Sequence, residues 1–233
     1  MAHPDRFLMA GVMGWPVMHS RSPMLHNYWF RKHGLAGTYV PLAIRPEGLG
    51  AALRALHPLG FAGCNLTIPH KQQAMKIVDE VDTLARSIGA ISCVVVRGDG
   101  SLAGTNNDCF GFVHNVRQEQ PGWRADAGPA VVIGAGGGSR AVCYGLAREG
   151  AREIRLVNRT PGRAKAIAAE FGGAIRALPW SERHVGPGEL VLPEPVVVQH
   201  GRARVHDRPA HDAGEEEAVG VRHRSHFRMH PAF

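Results

Sequence analysis

The sequence lacks several features that would assign it to a specialised class of protein. Its 233 residues contain no apolar run of membrane-span length, and the N-terminus has no basic-then-apolar signal layout. The four cysteines form no Cys-x-x-Cys pair, and no run of lysine and arginine accompanies the formal charge of +7. These absences argue against a membrane or nucleic-acid partner and predict a cytoplasmic protein with reduced thiols. The dispersed positive charge suits a small anionic ligand.

Extended and helical patterns alternate along residues 7–112, which predicts a mostly parallel sheet covered on both faces. The predicted strands cover 7–14, 38–44, 61–68, 90–96 and 102–104, and the predicted helices cover 23–33, 46–56, 71–79, 82–88 and 108–119. A segment rich in proline and glycine at 120–129 interrupts this pattern. We therefore expect an α/β protein whose first, three-layer domain comprises residues 1–120.

A second alternating pattern predicts a Rossmann-type domain at 128–188. It has predicted strands at 130–133, 154–157 and 174–177, and predicted helices at 139–149 and 161–171. From Glu189 onward the pattern is lost: residues 189–233 hold six of the 14 histidines and no lysine. We expect an aberrant, disordered tail and a Rossmann-type domain that is incomplete at its C-terminus. The spacing of His200, His206 and His211 leaves a metal site as an alternative, although it fits no familiar ligand pattern.

The glycine-rich turn after the strand at 130–133 predicts a site for a dinucleotide. Glycines there allow a tight turn and a close approach of the backbone to a pyrophosphate at a helix N-terminus. The next strand ends in Asn-Arg-Thr, where an NAD site usually has a carboxylate, and two arginines suit the 2′-phosphate of NADP(H). A plain structural turn and a solvated arginine pair are the alternatives. The candidate cofactor residues are Gly134, Ala135, Gly136, Gly137, Gly138, Ser139, Asn158, Arg159, Thr160 and Arg163.

The segment Asn65–Lys71, with the sequence Asn-Leu-Thr-Ile-Pro-His-Lys, predicts a catalytic lysine. Pro69 must end the preceding strand, so Lys71 lies on the first turn beyond a strand end, where α/β folds place their chemistry. There a lysine can exchange a proton with a substrate oxygen. A surface lysine that opens a helix is the alternative. In an extended segment, Ser20 and Ser22 would point their hydroxyls to one side and could bind a carboxylate.

With these motifs the chain resembles the shikimate dehydrogenase family from about residue 7 to residue 183. The motifs are Gly14–Asn27, Asn65–Lys71, Gly-Thr-Asn-Asn-Asp at 104–108, the glycine-rich turn at 134–140 and Asn-Arg-Thr at 158–160. The resemblance implies reversible NADPH-dependent reduction of 3-dehydroshikimate to shikimate, by a monomer or homodimer. It implies that Lys71 and Asp108 form the catalytic pair and that the carboxylate lies at Ser20 and Ser22. The implied contacts to the ring are made by Asn65, Thr67, Lys71, Ser92 and Asp108.

The chain also departs from the family pattern. Ser92 stands where the family usually has an asparagine, which leaves open a relaxed preference that includes quinate. The family's segments beyond the third strand of the cofactor domain have no counterpart after Arg183. A frameshift in the coding sequence is our hypothesis for this change. It leaves open a second reading, an inactive NADP-binding remnant.

Overall fold

The computed structural model describes residues 7–183 and, for the backbone alone, residues 190–193. The first sheet has the strand order β2-β1-β3-β5-β6-β4. Its strands are β1 (Leu8–Gly14), β2 (Gly37–Ala43), β3 (Phe61–Leu66), β4 (Glu80–Val81), β5 (Cys93–Val96) and β6 (Leu102–Thr105). The helices of this half are α1 (Ser22–Lys32), α2 (Leu49–Ala55), α3 (Thr83–Ile88) and α4 (Asp108–Glu119).

One antiparallel strand determines which ends of the first sheet meet. β1 is parallel to both β2 and β3, whereas β5 is antiparallel to β3 and to β6. Two reversals restore the direction, so β6 ends at the same edge of the sheet as β1 and β3. The loops that follow these three strands therefore lie together.

The second sheet has the order β10-β7-β8-β9, and its strands are all parallel. Its strands are β7 (Ala130–Ile133), β8 (Ile154–Val157), β9 (Ile175–Leu178) and β10 (Leu190–Pro193), and its helices are α5 (Gly137–Arg148) and α6 (Pro161–Phe171). We expected disorder from residue 189, but the backbone of β10 continues the sheet beside β7. The rest of the expected tail, including the three histidines considered as metal ligands, lies outside the described residues.

Helix α4 joins the two halves of the chain. Phe112 and Val116 of α4 are buried in one cluster with Val132 and Leu156 of the second sheet. A methyl group built on Gly145 of α5 would lie 3.1 Å from a methyl of Val113, so the two helices pack closely. α4 therefore belongs to the second core by packing, although we expected it to lie in the first domain. The residue-by-residue domain division stays a prediction.

The predicted α/β class with mostly parallel strands is confirmed. Several predicted bounds differ from the structure: the strand predicted at 90–96 begins only at Cys93, and the helix predicted at 46–56 begins as a 3₁₀ turn before Leu49. Two further differences lie beside Pro69. Residues 71–79 contain only a turn and a short 3₁₀ helix (Gln73–Lys76), and β3 ends at Leu66 instead of residue 68. Both changes accompany Pro69, which can neither donate a ladder hydrogen bond nor let Ile68 adopt a helical backbone. Within the described residues, no helix has the length and apolarity needed to cross a membrane.

Candidate active site

Two backbone hydrogen bonds join the loops after β1 and β3. The Thr67 N–H donates to Met13 O and the Trp15 N–H donates to Ile68 O, each at 2.9 Å. Between these bonds, a methyl group built on Gly14 would lie 2.4 Å from Cγ2 of Thr67, a separation that real Cβ atoms do not adopt. Only glycine permits this approach. The candidate substrate loop after β1 and the segment that carries the candidate lysine are therefore one unit.

Lys71 and Asp108 form an ion pair at this edge of the sheet. The Lys71 Nζ donates to Asp108 Oδ2, and the two side chains are 16% and 21% exposed. They are therefore shielded from bulk water but still reachable by a small ligand. The Ile91 N–H donates to the Lys71 carbonyl at 2.9 Å, which fixes the backbone of the lysine. This juxtaposition of residues from the ends of β3 and β6 is the pair that the family resemblance implied.

A buried asparagine leaves the Asp108 carboxylate available to the lysine. Asp108 is the first residue of α4, and the Asn106 side-chain oxygen accepts hydrogen bonds from the N–H groups of Asp108 (3.0 Å) and Cys109 (3.3 Å). The Asn106 amide donates to Ala90 O at 2.9 Å, and the residue is 3% exposed. Asn106 thus does the capping that Asp108 could otherwise have done. Our sequence analysis missed this residue, although an asparagine just before a predicted helix is a capping signal.

Asn65 and Ser92 are held by hydrogen bonds of their own. The Tyr39 hydroxyl donates to Asn65 Oδ1 at 2.7 Å, while Asn65 Nδ2 donates to Ser92 O at 3.3 Å. Burial raises the pKa of Tyr39 far above its usual range, so the phenol stays protonated as the donor. The Ser92 hydroxyl accepts from the Asn107 N–H at 2.9 Å, and the residue is 3% exposed. Their predicted substrate contacts stay predictions, and nothing in the sequence pointed to Tyr39.

We paired Ser20 with Ser22 on the assumption that the segment between them is extended, and this assumption is wrong. Arg21 between them has φ −88° and ψ −4°, a helical conformation, and Ser22 is the first residue of α1. The two hydroxyls therefore do not alternate along an extended strand. Instead, the Ser20 hydroxyl accepts a hydrogen bond from the Ser22 N–H at 3.3 Å. Both side chains are half-buried, Ser20 in the loop after β1 and Ser22 at the start of α1, and their role in binding a carboxylate stays a prediction.

The candidate cofactor residues lie at the carboxyl ends of β7 and β8, which are parallel neighbours. Gly134 has φ +111°, a conformation that suits glycine, and α5 begins at Gly137. The first turn of α5 presents N–H groups and the positive end of the helix dipole, as a pyrophosphate requires. Next to it, Arg159, Thr160 and Arg163 are exposed at the start of α6. These residues fit a dinucleotide with a 2′-phosphate, and Asn158 holds the turn through a 2.8 Å bond to Thr160 O.

The other reactive side chains do not suggest a different chemistry. All four cysteines are free, and burial raises the pKa of Cys64 to about 12, so this thiol stays protonated. Among the described residues, no group of three or more histidine, cysteine or acidic side chains could hold a metal ion.

Two family models match the chain on either side of residues 95–118. Residues 12–94 match the substrate-binding domain of shikimate dehydrogenase, and residues 119–186 match shikimate / quinate 5-dehydrogenase. A shikimate dehydrogenase (NADP(+)) of Paramagnetospirillum magneticum is 53% identical over 175 residues, which are 75% of this chain and 63% of that protein. The enzyme of the same name from Rhodospirillum rubrum is 54% identical over 190 residues, which are 79% of this chain and 67% of that protein.

Solved structures of the family share the fold. A Thermus thermophilus shikimate 5-dehydrogenase in complex with NADP(H) and shikimate aligns with TM-score 0.66 at 39% identity, over 74% of this chain and 63% of that one. A quinate dehydrogenase from Corynebacterium glutamicum in complex with NAD aligns with TM-score 0.67 at 29% identity, over 75% of this chain and 65% of that one. The chain thus spans about two thirds of the length of the proteins it matches. Its sequence and fold make it a member of the shikimate dehydrogenase family.

Proposed function

We propose that the protein catalyses the reversible NADPH-dependent reduction of 3-dehydroshikimate to shikimate, a step of aromatic amino-acid biosynthesis. The observation that carries this proposal is the partly buried Lys71–Asp108 pair at the edge where the substrate loops meet. The chain spans about two thirds of the length of these relatives, so the activity is a proposal that rests on the residues named here.

In the proposed reaction, NADPH held by the candidate cofactor residues after β7 and β8 would supply the hydride for the carbonyl carbon of the substrate. Lys71 donates a proton from Nζ to the carbonyl oxygen, and in the oxidative direction it accepts the proton back. Asp108 orients the ammonium group through its carboxylate and balances its charge. Because Asn106 already caps α4, the Asp108 oxygens are not required by the helix.

The remaining candidate residues would bind the ends of the two ligands. Ser20 and Ser22 would donate hydrogen bonds to the carboxylate, while Asn65 and Thr67 would contact ring hydroxyls. Ser92 would lie beside them, and its hydroxyl would chiefly hold the backbone N–H of Asn107, the residue before Asp108. The cofactor residues named above would hold the pyrophosphate and, through Arg159 and Arg163, the 2′-phosphate of NADP(H).

Two alternatives stand beside this proposal. Ser92 is shorter than the amide usual in the family, which favours a relaxed preference that includes quinate. An inactive NADP-binding protein is the second alternative. We further propose a cytoplasmic monomer or homodimer; the four free cysteines support a reducing compartment.

The proposal is tested with the full chain, shikimate and NADP by following the absorbance of NADPH, with NAD in a parallel reaction. Replacing Lys71 by alanine should lower kcat roughly 10²- to 10⁴-fold, the usual contribution of a positioned acid or base. Lys76, an exposed lysine in the next turn, provides the matched control, and Lys76→Ala should retain activity. A wild-type chain that binds NADP without any Lys71-dependent turnover would identify the inactive alternative. A kcat/KM for quinate equal to that for shikimate would identify the relaxed one.

A further inference from the structure

The first turn of α5 touches the candidate catalytic lysine from the other half of the molecule. Gly137, which opens this helix, packs directly against the stem of Lys71. A methyl group built on Gly137 would lie 2.8 Å from Cβ and 3.2 Å from Cδ of Lys71. The nearest atom belongs to the base of the side chain, which cannot swing away without moving the backbone. Glycine at this position therefore allows the helix to approach the lysine stem this closely.

Arg140 lies three residues later, on the same face of α5. It is 5% exposed, and its Nε donates to Ile88 O, the last residue of α3, at 2.6 Å. The guanidinium also pairs with Glu170 and lies over the Phe171 ring, 5.0 Å from its centre. A buried arginine is thus neutralised by its own half of the chain while it binds the backbone of the other half.

The segment that Arg140 contacts also holds both members of the catalytic pair. Gly89, next to Ile88, has φ +72°, and a methyl group there would lie 2.2 Å from a guanidinium nitrogen of Arg140. Two residues further on, the Ile91 N–H donates to the carbonyl of Lys71 at 2.9 Å. The Ala90 carbonyl between them accepts from the asparagine that caps the helix of Asp108.

We propose that Gly137 and Arg140 are positioning residues. They lie in the second half of the chain and, through contacts across the junction of the two halves, they place Lys71 and Asp108 for proton transfer. This inference rests on the proposed function. It assigns the first turn of α5 a task besides holding a pyrophosphate: Gly137 acts directly on the lysine stem, and Arg140 acts through residues 88–91.

The decisive variant is Gly137→Ala, compared with Gly50→Ala as its control. Gly50 lies in the first turn of α2, and a methyl group built on it meets nothing within 4 Å. Gly137→Ala should lower kcat at saturating NADP and shikimate roughly 10- to 100-fold, because a displacement of about 1 Å at a reacting group costs that much. KM for shikimate should change much less. A loss confined to NADP affinity, with kcat restored at saturation, would overturn the proposal.

A second measurement separates this inference from the proposed function, because it needs no turnover. Acetylation by a water-soluble N-hydroxysuccinimide ester, read by peptide mass spectrometry, gives the labelling of Lys71 relative to exposed Lys76 in the same chain. Gly137→Ala should change this ratio several-fold, whereas Gly50→Ala should leave it as in the wild type. An unchanged ratio refutes the positioning role even if the wild type is inactive. If the ratio changes while the wild type shows no turnover, only the proposed function fails.

Arg140→Lys tests the second residue of the pair. Lysine keeps the positive charge beside Glu170 but lacks the planar guanidinium that reaches Ile88 O and covers the Phe171 ring. We expect kcat to fall several-fold and the labelling ratio of Lys71 to change in the folded variant. A wild-type kcat and ratio in a folded Arg140→Lys protein would remove Arg140 from the proposal.

Discussion

Replacing Asn106 by alanine should destabilise the protein far more than the same change at its neighbour Asn107. The Asn106 side chain caps α4 through its oxygen, and such a cap is worth about 0.5–2 kcal/mol. Its amide also donates to the carbonyl of Ala90, and a buried carbonyl that loses its donor costs about 1–3 kcal/mol. Together these losses should lower the free energy of unfolding by about 1.5–5 kcal/mol.

Asn107 is a close control because it is exposed and its structural hydrogen bond, to the Ser92 hydroxyl, comes from its backbone N–H. Asn107→Ala keeps that bond, so its free energy of unfolding should lie within about 0.5 kcal/mol of the wild type. Urea denaturation followed by far-UV circular dichroism measures both variants. If Asn106→Ala unfolds at the same urea concentration as Asn107→Ala, the capping account of the site is refuted.

Two further predictions concern Gly89 and His70. Gly89→Ala should lower the free energy of unfolding more than Gly34→Ala in the same denaturation assay. Both glycines have positive φ, where a side chain costs about 1–2 kcal/mol. Only the methyl group at Gly89 would in addition meet Arg140. Equal costs would contradict a tight contact there. Burial lowers the pKa of His70, whose Nε2 contacts Ile44 O, so below about pH 6.5 the unfolded chain binds a proton that the folded chain excludes. The free energy of unfolding should therefore fall as the pH drops below that value, and it should fall less steeply in His70→Gln. If the wild type and His70→Gln show the same dependence on pH, His70 is not its cause.

Local patterns in the sequence predicted the second half of the chain closely. The strand at 130–133, the strand at 154–157 and the helix at 161–171 have the predicted bounds. The first strand lies between Pro129 and Gly134, and the helix begins at Pro161 and ends before Gly172, so glycine and proline mark these ends clearly. The fourth strand, Leu190–Pro193, was not predicted. The sequence around it shows no alternation of helical and extended patterns from which a strand could be predicted.

The first half shows why the site was only partly predictable. The pairing of Lys71 with Asp108 came from family resemblance, since the two residues are 37 positions apart and no local pattern joins them. A helix was expected after Lys71, yet the chain there bonds to Ile91 and ends in a 3₁₀ turn. The hydrogen bond from Tyr39 to Asn65 and the contact of Gly137 with Lys71 depend on tertiary packing. Propensity and periodicity do not report such contacts.

The single reversed strand of the first sheet has a consequence for engineering this protein. Because β5 runs against β3 and β6, the turn at 97–101 points away from the edge that carries Lys71 and Asp108. An epitope or fluorophore-bearing loop could be inserted in that turn without disturbing the residues at the opposite edge. A single residue deleted from β6 would instead turn the side chains that follow it within that strand to the other face of the sheet. We therefore expect the hairpin to tolerate changes in length at its tip better than along its strands.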